Sequence, residues 1–223
     1  MKMTMRFLSF VWMGLLLSSL TNAMEWKQLD SMRIAIQELN YRGEFLHRRG
    51  DDTSVYSIVH RFENQQSTEL LRQLDGDMVE VLRQGDKMVC YYPEGSEEAL
   101  NHAVPAAPFS QVGALELDRI SKNYKAMKIG QARVAGYQTN IIELTGDEWR
   151  FRQRFWLEQE TNVLLQSELM SLEGEVLEQF RFTRIELGVA IDDVELVPAL
   201  EGNVNARQQS AFKTLAANLD DSS

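Results

Sequence analysis

Between Trp26 and Leu39, apolar residues recur at three- and four-residue steps: Leu29, Met32, Ile36 and Leu39. Charges and amides fill the other positions, so the spacing predicts a helix with one buried stripe. The period then falls to two. "YRGEFLHRRGDDTSVYSIVHRFE" reads as two strands around a turn at Arg49–Thr53, where Gly50, Asp51 and Asp52 favour reversal. More hairpins follow, divided by Asp75-Gly76 and Gln84-Gly85-Asp86, until Pro93 ends a strand or moves it to an edge. Residues 94–124 lose the pattern and read as a long loop with a short helix near Leu115 to Ile120. From residue 125 the alternation returns, with turn signals near Gly130, Gly136, Thr145-Gly146-Asp147, Glu160–Asn162 and Glu173-Gly174. Beyond Val189 the chain turns acidic and irregular, and Ala206–Leu219 fits a frayed helix or a tail.

Neighbouring strands without long helices between them make an antiparallel meander, not a parallel βαβ fold. The expected class is α+β: a curved antiparallel sheet with the amphipathic helix packed in or over its concave face. The strand in "WRFRQRFWLEQ" sharpens this. Period two places Trp149, Phe151, Gln153 and Phe155 on one face, and Arg150, Arg152, Arg154 and Trp156 on the other. In "EGEVLEQFRFTRIELG", Phe180 and Phe182 point one way, Arg181 and Thr183 the other, and Arg184 follows on the side of Phe182. Trp149, Phe151, Phe155, Phe180 and Phe182 are therefore the candidate lining of an apolar hollow. A filled core and a ligand pocket fit that lining equally. Arg150, Arg152 and Arg154 form a candidate polar face, for a partner or for carboxylates on adjacent strands.

The first residues change the picture of location. Lys2 and Arg6 precede an apolar run from Phe7 to Leu20, and small or polar residues lead to a cut after Ala23. This is the grammar of an export leader spanning residues 1–23, although an uncleaved anchor shares its features. The formal charge of the 223-residue chain is −10, and loss of Lys2 and Arg6 takes it to −12. Such a surface does not favour nucleic acid as a bulk electrostatic partner. One cysteine, Cys90, cannot make an internal disulfide and sits among apolar residues, as a small core hydrophobe does.

No catalytic constellation emerges. His47, His60 and His102 have no metal-binding helical spacing. A hairpin could bring His47 and His60 together, but no third ligand is apparent. A Cys90–His102 dyad would cross Pro93 and the long loop. The chain has no nucleophile elbow and no phosphate-binding glycine loop, and its acids mostly flank turns. Arg49-Gly50-Asp51 is explained by turn chemistry. No metal or cofactor is expected.

Several phrases carry a resemblance in combination. They are "ELNYRGEF", "RQLDGDMVEVLRQGDKMVCYYPEG" and "MSLEGEVLEQFRF", with "KIGQARVAGYQTNIIEL" and "FWLEQETNVLLQSEL" in the same order. From about residue 25 to 198 the chain resembles the N-terminal domain of the RseB/MucB family of periplasmic regulators of the envelope-stress sigma factor. The resemblance implies a half-barrel like that of periplasmic lipoprotein carriers over residues 24–198, with helices in its hollow. It implies binding to the periplasmic segment of a membrane-spanning anti-sigma factor, which is thereby shielded from the site-one protease. Lipid, lipoprotein or lipopolysaccharide ligands are implied as signals, and no catalytic residue. Residues 199–223 are expected to be a linker or frayed helical tail, with the family's small C-terminal domain absent. A periplasmic lipid or lipoprotein carrier is the alternative, and a hydrolase a more distant one.

Overall fold

The computed structural model describes residues 8–76, 78–85, 87–93, 116–200 and 204–206, with side chains described between residues 23 and 200. Helix α1 (Leu8–Glu38) leads into five strands: β1 (Tyr41–Arg49), β2 (Asp52–Glu63), β3 (Gln66–Gln73), β4 (Glu80–Gln84) and β5 (Lys87–Tyr91). A short helix α2 (Leu117–Ile120) precedes five more: β6 (Lys125–Val134), β7 (Tyr137–Thr145), β8 (Arg152–Glu158), β9 (Leu164–Met170) and β10 (Val176–Leu187). A single 3-10 turn (Asp193–Leu196) and β11 (Val204–Ala206) complete the described chain. Within the expected loop at 94–124, α2 falls where a short helix was read; residues 94–115 lie outside the described residues, as does the tail at 207–223.

All strands join one antiparallel, curved sheet in the order β11-β5-β4-β3-β2-β1-β10-β9-β8-β7-β6. Two meanders, β1 to β5 and β6 to β10, are thus zipped together along β1 and β10. Tight turns close the hairpins for local reasons. Asp75 accepts the Val55 amide at 3.0 Å, and Ala135-Gly136 reverses the chain with both residues at positive φ, a conformation glycine adopts without strain. Gly130, read from the sequence as a turn, instead lies inside β6, where the register with β7 shifts between Lys128 and Gly130.

The concave side holds the main core. Leu29, Met32 and Ile36 of α1 are buried there as their spacing requires. They pack with Tyr41, Phe45, Tyr56, Ile58 and Leu71 from the first meander and Ile142, Leu144, Phe155, Phe180 and Phe182 from the second. Cys90 is buried in the same cluster. The helix begins further upstream than the apolar stripe predicts, at Leu8 instead of Trp26.

The irregular segment after Val189 is a strap across the opposite, convex face. Ile191 and Leu196 cover Val59 and Leu70 in a second apolar cluster. Cations on the sheet hold the strap down. Arg42 donates to Glu186 and Glu195, Arg61 to Asp193 and the Ile191 carbonyl, and Arg72 to the Val197 carbonyl. Buried Glu80 accepts Arg72 Nε at 2.5 Å and the Ala199 and Leu200 amides at 2.6 and 2.9 Å. β11 then pairs with β5, so that the free edge of the first meander is closed by the chain's own C-terminal part.

Candidate functional site: the hollow of the sheet

The hollow is built where the two meanders meet. In β1 the alternation Tyr41, Gly43, Phe45 faces inward, and the register sets Phe45 against Tyr56 on one side and Phe182 on the other. The rings pack closely. Phe45 and Phe180 have centroids 4.8 Å apart, Phe180 and Phe182 meet edge to face at 5.1 Å, and Phe45 and Phe182 at 5.7 Å. Such tilted and edge-on pairs are the favoured geometry of aromatic quadrupoles. Gly43 is small for a reason: a Cβ there would sit 2.5 Å from the Arg184 carbonyl oxygen and 3.0 Å from Phe182 Cε1.

Between α1 and the strands lies a buried polar link. His60 stacks on Tyr41 at 4.7 Å. Its Nδ1 is 2.9 Å from the Leu39 carbonyl, which can only accept, so Nδ1 carries the proton and Nε2 accepts from the Ser67 hydroxyl at 2.7 Å. Burial pushes the His60 pKa down, partly opposed by the negative charge of Glu69. Burial likewise raises the Tyr41 phenol. Along the same strand, His47 Nε2 lies 2.7 Å from Glu178, and this hydrogen bond, ahead of all other influences, lowers the carboxylate's pKa.

The residues read from the sequence separate into two groups. Phe155, Phe180 and Phe182 lie together in the buried core of the hollow. Trp149 and Phe151 do not join them. β8 starts at Arg152, so both precede the strand and period two does not apply to them; Trp149 is 83% and Phe151 53% exposed. Alternation also fails further along β8, where Phe155, Trp156 and Leu157 are all buried and the register with β9 shifts between Trp156 and Leu157. A similar shift corrects β10. Glu44 pairs with Arg184 but Phe45 with Phe182, leaving Thr183 as an extra residue. Ile185 therefore turns inward and Arg184 outward, the reverse of strict alternation.

The three arginines do not form one free face. Arg154 donates to Glu143 on β7 at 2.6 Å, a cross-strand pair. Arg150 pairs with Asp147 within its own turn, and Arg152 reaches beneath the β9–β10 turn beside Gly174. His47 and His60 are also kept apart. The β1–β2 register sets His60 opposite Tyr41 and His47 opposite Ser54, six residues along the strand and about 20 Å away. Tyr41, Phe45, Tyr56 and the buried His60 are the site residues that the sequence reading missed. Period two in "NYRGEF" holds the signal for the first two.

A curved antiparallel sheet whose hollow is occupied by an N-terminal helix and by packed rings from both meanders defines a packing scaffold. A family model, the MucB/RseB N-terminal domain, matches residues 24–200, and the chain belongs to that family. It is 29% identical over 217 residues to the Sigma-E factor regulatory protein RseB of Haemophilus influenzae, covering 92% of this chain and 68% of that protein. It is 27% identical to the Sigma factor AlgU regulatory protein MucB of Pseudomonas aeruginosa, covering 82% of this chain and 56% of that one. Among solved structures it is similar to MucB in the complex structure of Pseudomonas aeruginosa MucA/MucB. That match has a TM-score of 0.68 at 25% identity and covers 78% of this chain and 61% of the other. A crystal structure of MucB matches with the same TM-score, 0.68, at 26% identity, covering 79% of this chain and 63% of that one. The chain thus spans from just over half to about two thirds of these relatives' lengths.

Proposed function

We propose that this protein is a periplasmic negative regulator of an envelope-stress sigma-factor pathway. A leader over residues 1–23 exports it. The half-barrel over residues 24–198 then binds the periplasmic segment of a membrane-spanning anti-sigma factor and shields that segment from site-one proteolysis. The mechanism is steric: a flexible protease substrate held against a rigid sheet cannot enter a protease cleft. A lipid or lipopolysaccharide signal weakens the complex by binding one conformation of the regulator more tightly. The protein acts by binding, and no residue is assigned a catalytic role. The observation that carries this reading is the likeness to MucB seen bound to MucA, over 78% of this chain.

The carrier alternative fares less well on the same geometry. Phe155, Phe180 and Phe182 are buried beneath protein, and Leu29, Met32 and Ile36 of α1 occupy the hollow. A carrier would have to move the helix before an acyl chain could replace it. A pull-down of residues 24–223 with the periplasmic anti-sigma segment from the same organism tests the proposal. Retention of that segment supports regulation. No retention, together with transfer of a labelled lipid between vesicles, would favour carriage.

A further inference from the structure

The two edges of the sheet are unlike. β5 is covered by β11, whereas β6 ends the strand order and no described strand pairs with its outer side. In a chain of net charge −10, residues 121–134 contain Lys122, Lys125, Lys128 and Arg133 and not one aspartate or glutamate. All four cations are exposed. Among the described residues none of them forms a salt bridge, while Arg42, Arg61, Arg72, Arg83 and Arg154 are each tied to a carboxylate. Two apolar side chains interleave the lysines: Met127 is 50% exposed and Ile129 43%. Ten residues of edge strand with no described strand on their outer side, local positive charge and apolar anchors thus coincide.

Lysines and a bulge on an edge ordinarily deter further strands. Here the deterrent is selective. Like charges repel a second copy of β6, but the same charges attract an extended segment rich in aspartate or glutamate. We propose that the outer edge of β6 is a docking site for an extended acidic polypeptide segment, which adds to the sheet as a further antiparallel or parallel strand. Backbone hydrogen bonds along β6 supply the ladder, the four cations select the charge, and Met127 and Ile129 contact the segment's alternating apolar side chains. The site lies outside the hollow and does not depend on the partner's being an anti-sigma factor.

The test uses a fluorescein-labelled peptide of about twelve residues that alternates glutamate with valine and threonine, and a counterpart with lysine in place of glutamate, enough to span a ten-residue strand. Anisotropy should show the acidic peptide binding and the basic one not. Raising salt from about 0.05 to 0.5 M should weaken binding about tenfold or more, since exposed charges are screened. Hydrogen exchange read by mass spectrometry should show new protection within 125–134. The triple variant K125E/K128E/R133E should lose binding about tenfold or more while keeping the wild-type melting temperature. No binding of the acidic peptide, binding indifferent to salt, or protection confined to other strands would overturn the proposal. The salt and exchange readings on the wild-type protein decide the matter even if the triple variant fails to fold.

Discussion

Replacing Gly43 with alanine should loosen the seam at which the two meanders meet. The added Cβ would lie 2.5 Å from the Arg184 carbonyl oxygen and 3.1 Å from Ile185 Cα, both backbone atoms of β10, and 3.0 Å from Phe182 Cε1. Rotation of one side chain cannot relieve a clash with backbone. β1 must draw away from β10, or the ring stack of Phe45, Phe180 and Phe182 must open. Overpacking of this kind costs about 1–3 kcal/mol. Alanine also restricts the unfolded chain, which returns about 0.4–1 kcal/mol where the native backbone is unstrained. A net loss of about 1–2 kcal/mol corresponds to a fall in melting temperature of about 2–8 °C for a domain of this size. Gly130→Ala is the control, because its nearest neighbour is a flexible side-chain atom, Ile141 Cδ1, at 3.9 Å. Urea denaturation of the two variants beside the wild type gives the comparison. Gly130→Ala should lie within about 0.5 kcal/mol of wild type. An unchanged midpoint for Gly43→Ala, or equal losses for both variants, would refute the steric reasoning.

Other expectations concern the strap, the core and pH. Glu80→Ala removes the acceptor of Arg72 and of two strap amides, and should cost about 2–4 kcal/mol in urea, with faster amide exchange at 199–200. Phe182→Ala should cost about 3–5 kcal/mol, whereas Trp149→Ala, at an exposed turn, should change stability by less than about 0.5 kcal/mol; similar losses would show that the two aromatics share one environment. The His60 pKa is depressed in the fold, so the unfolded chain takes up the proton first. Its contribution to stability is full above the ordinary value of 6.5 and is lost as pH falls below it. Wild-type stability, measured against a non-titrating His60→Gln variant, should therefore decline between about pH 7 and pH 5; a flat difference would contradict the neutral buried ring. Glu178 has a lowered pKa, and its contribution holds above 4.5 and fades in stronger acid, which His47→Ala should diminish.

The helix stripe, the hairpins and the sheet class were legible in the sequence because each rests on local period and turn chemistry. Leu29, Met32 and Ile36 declare their face through spacing alone. Phe155, Phe180 and Phe182 were found by alternation because their stretches of strand are regular. Trp149 and Phe151 were misplaced because alternation cannot say where a strand begins. Ile185 was missed because one extra residue, Thr183, reverses everything after it. The pairing of β1 with β10 was not legible either, since it joins residues more than a hundred positions apart by packing and not by any turn. The strap was the least visible. Its apolar residues, Ile191 and Leu196, are too few to show a period, and its cationic clamps come from three different strands.

Cleavage of the periplasmic anti-sigma segment by the site-one protease, timed with increasing amounts of the chain spanning residues 24–223, tests regulation by occlusion most directly. The segment's half-life should lengthen with regulator concentration and level off once the segment is saturated. A half-life that stays constant while the protease remains active on the segment would contradict it.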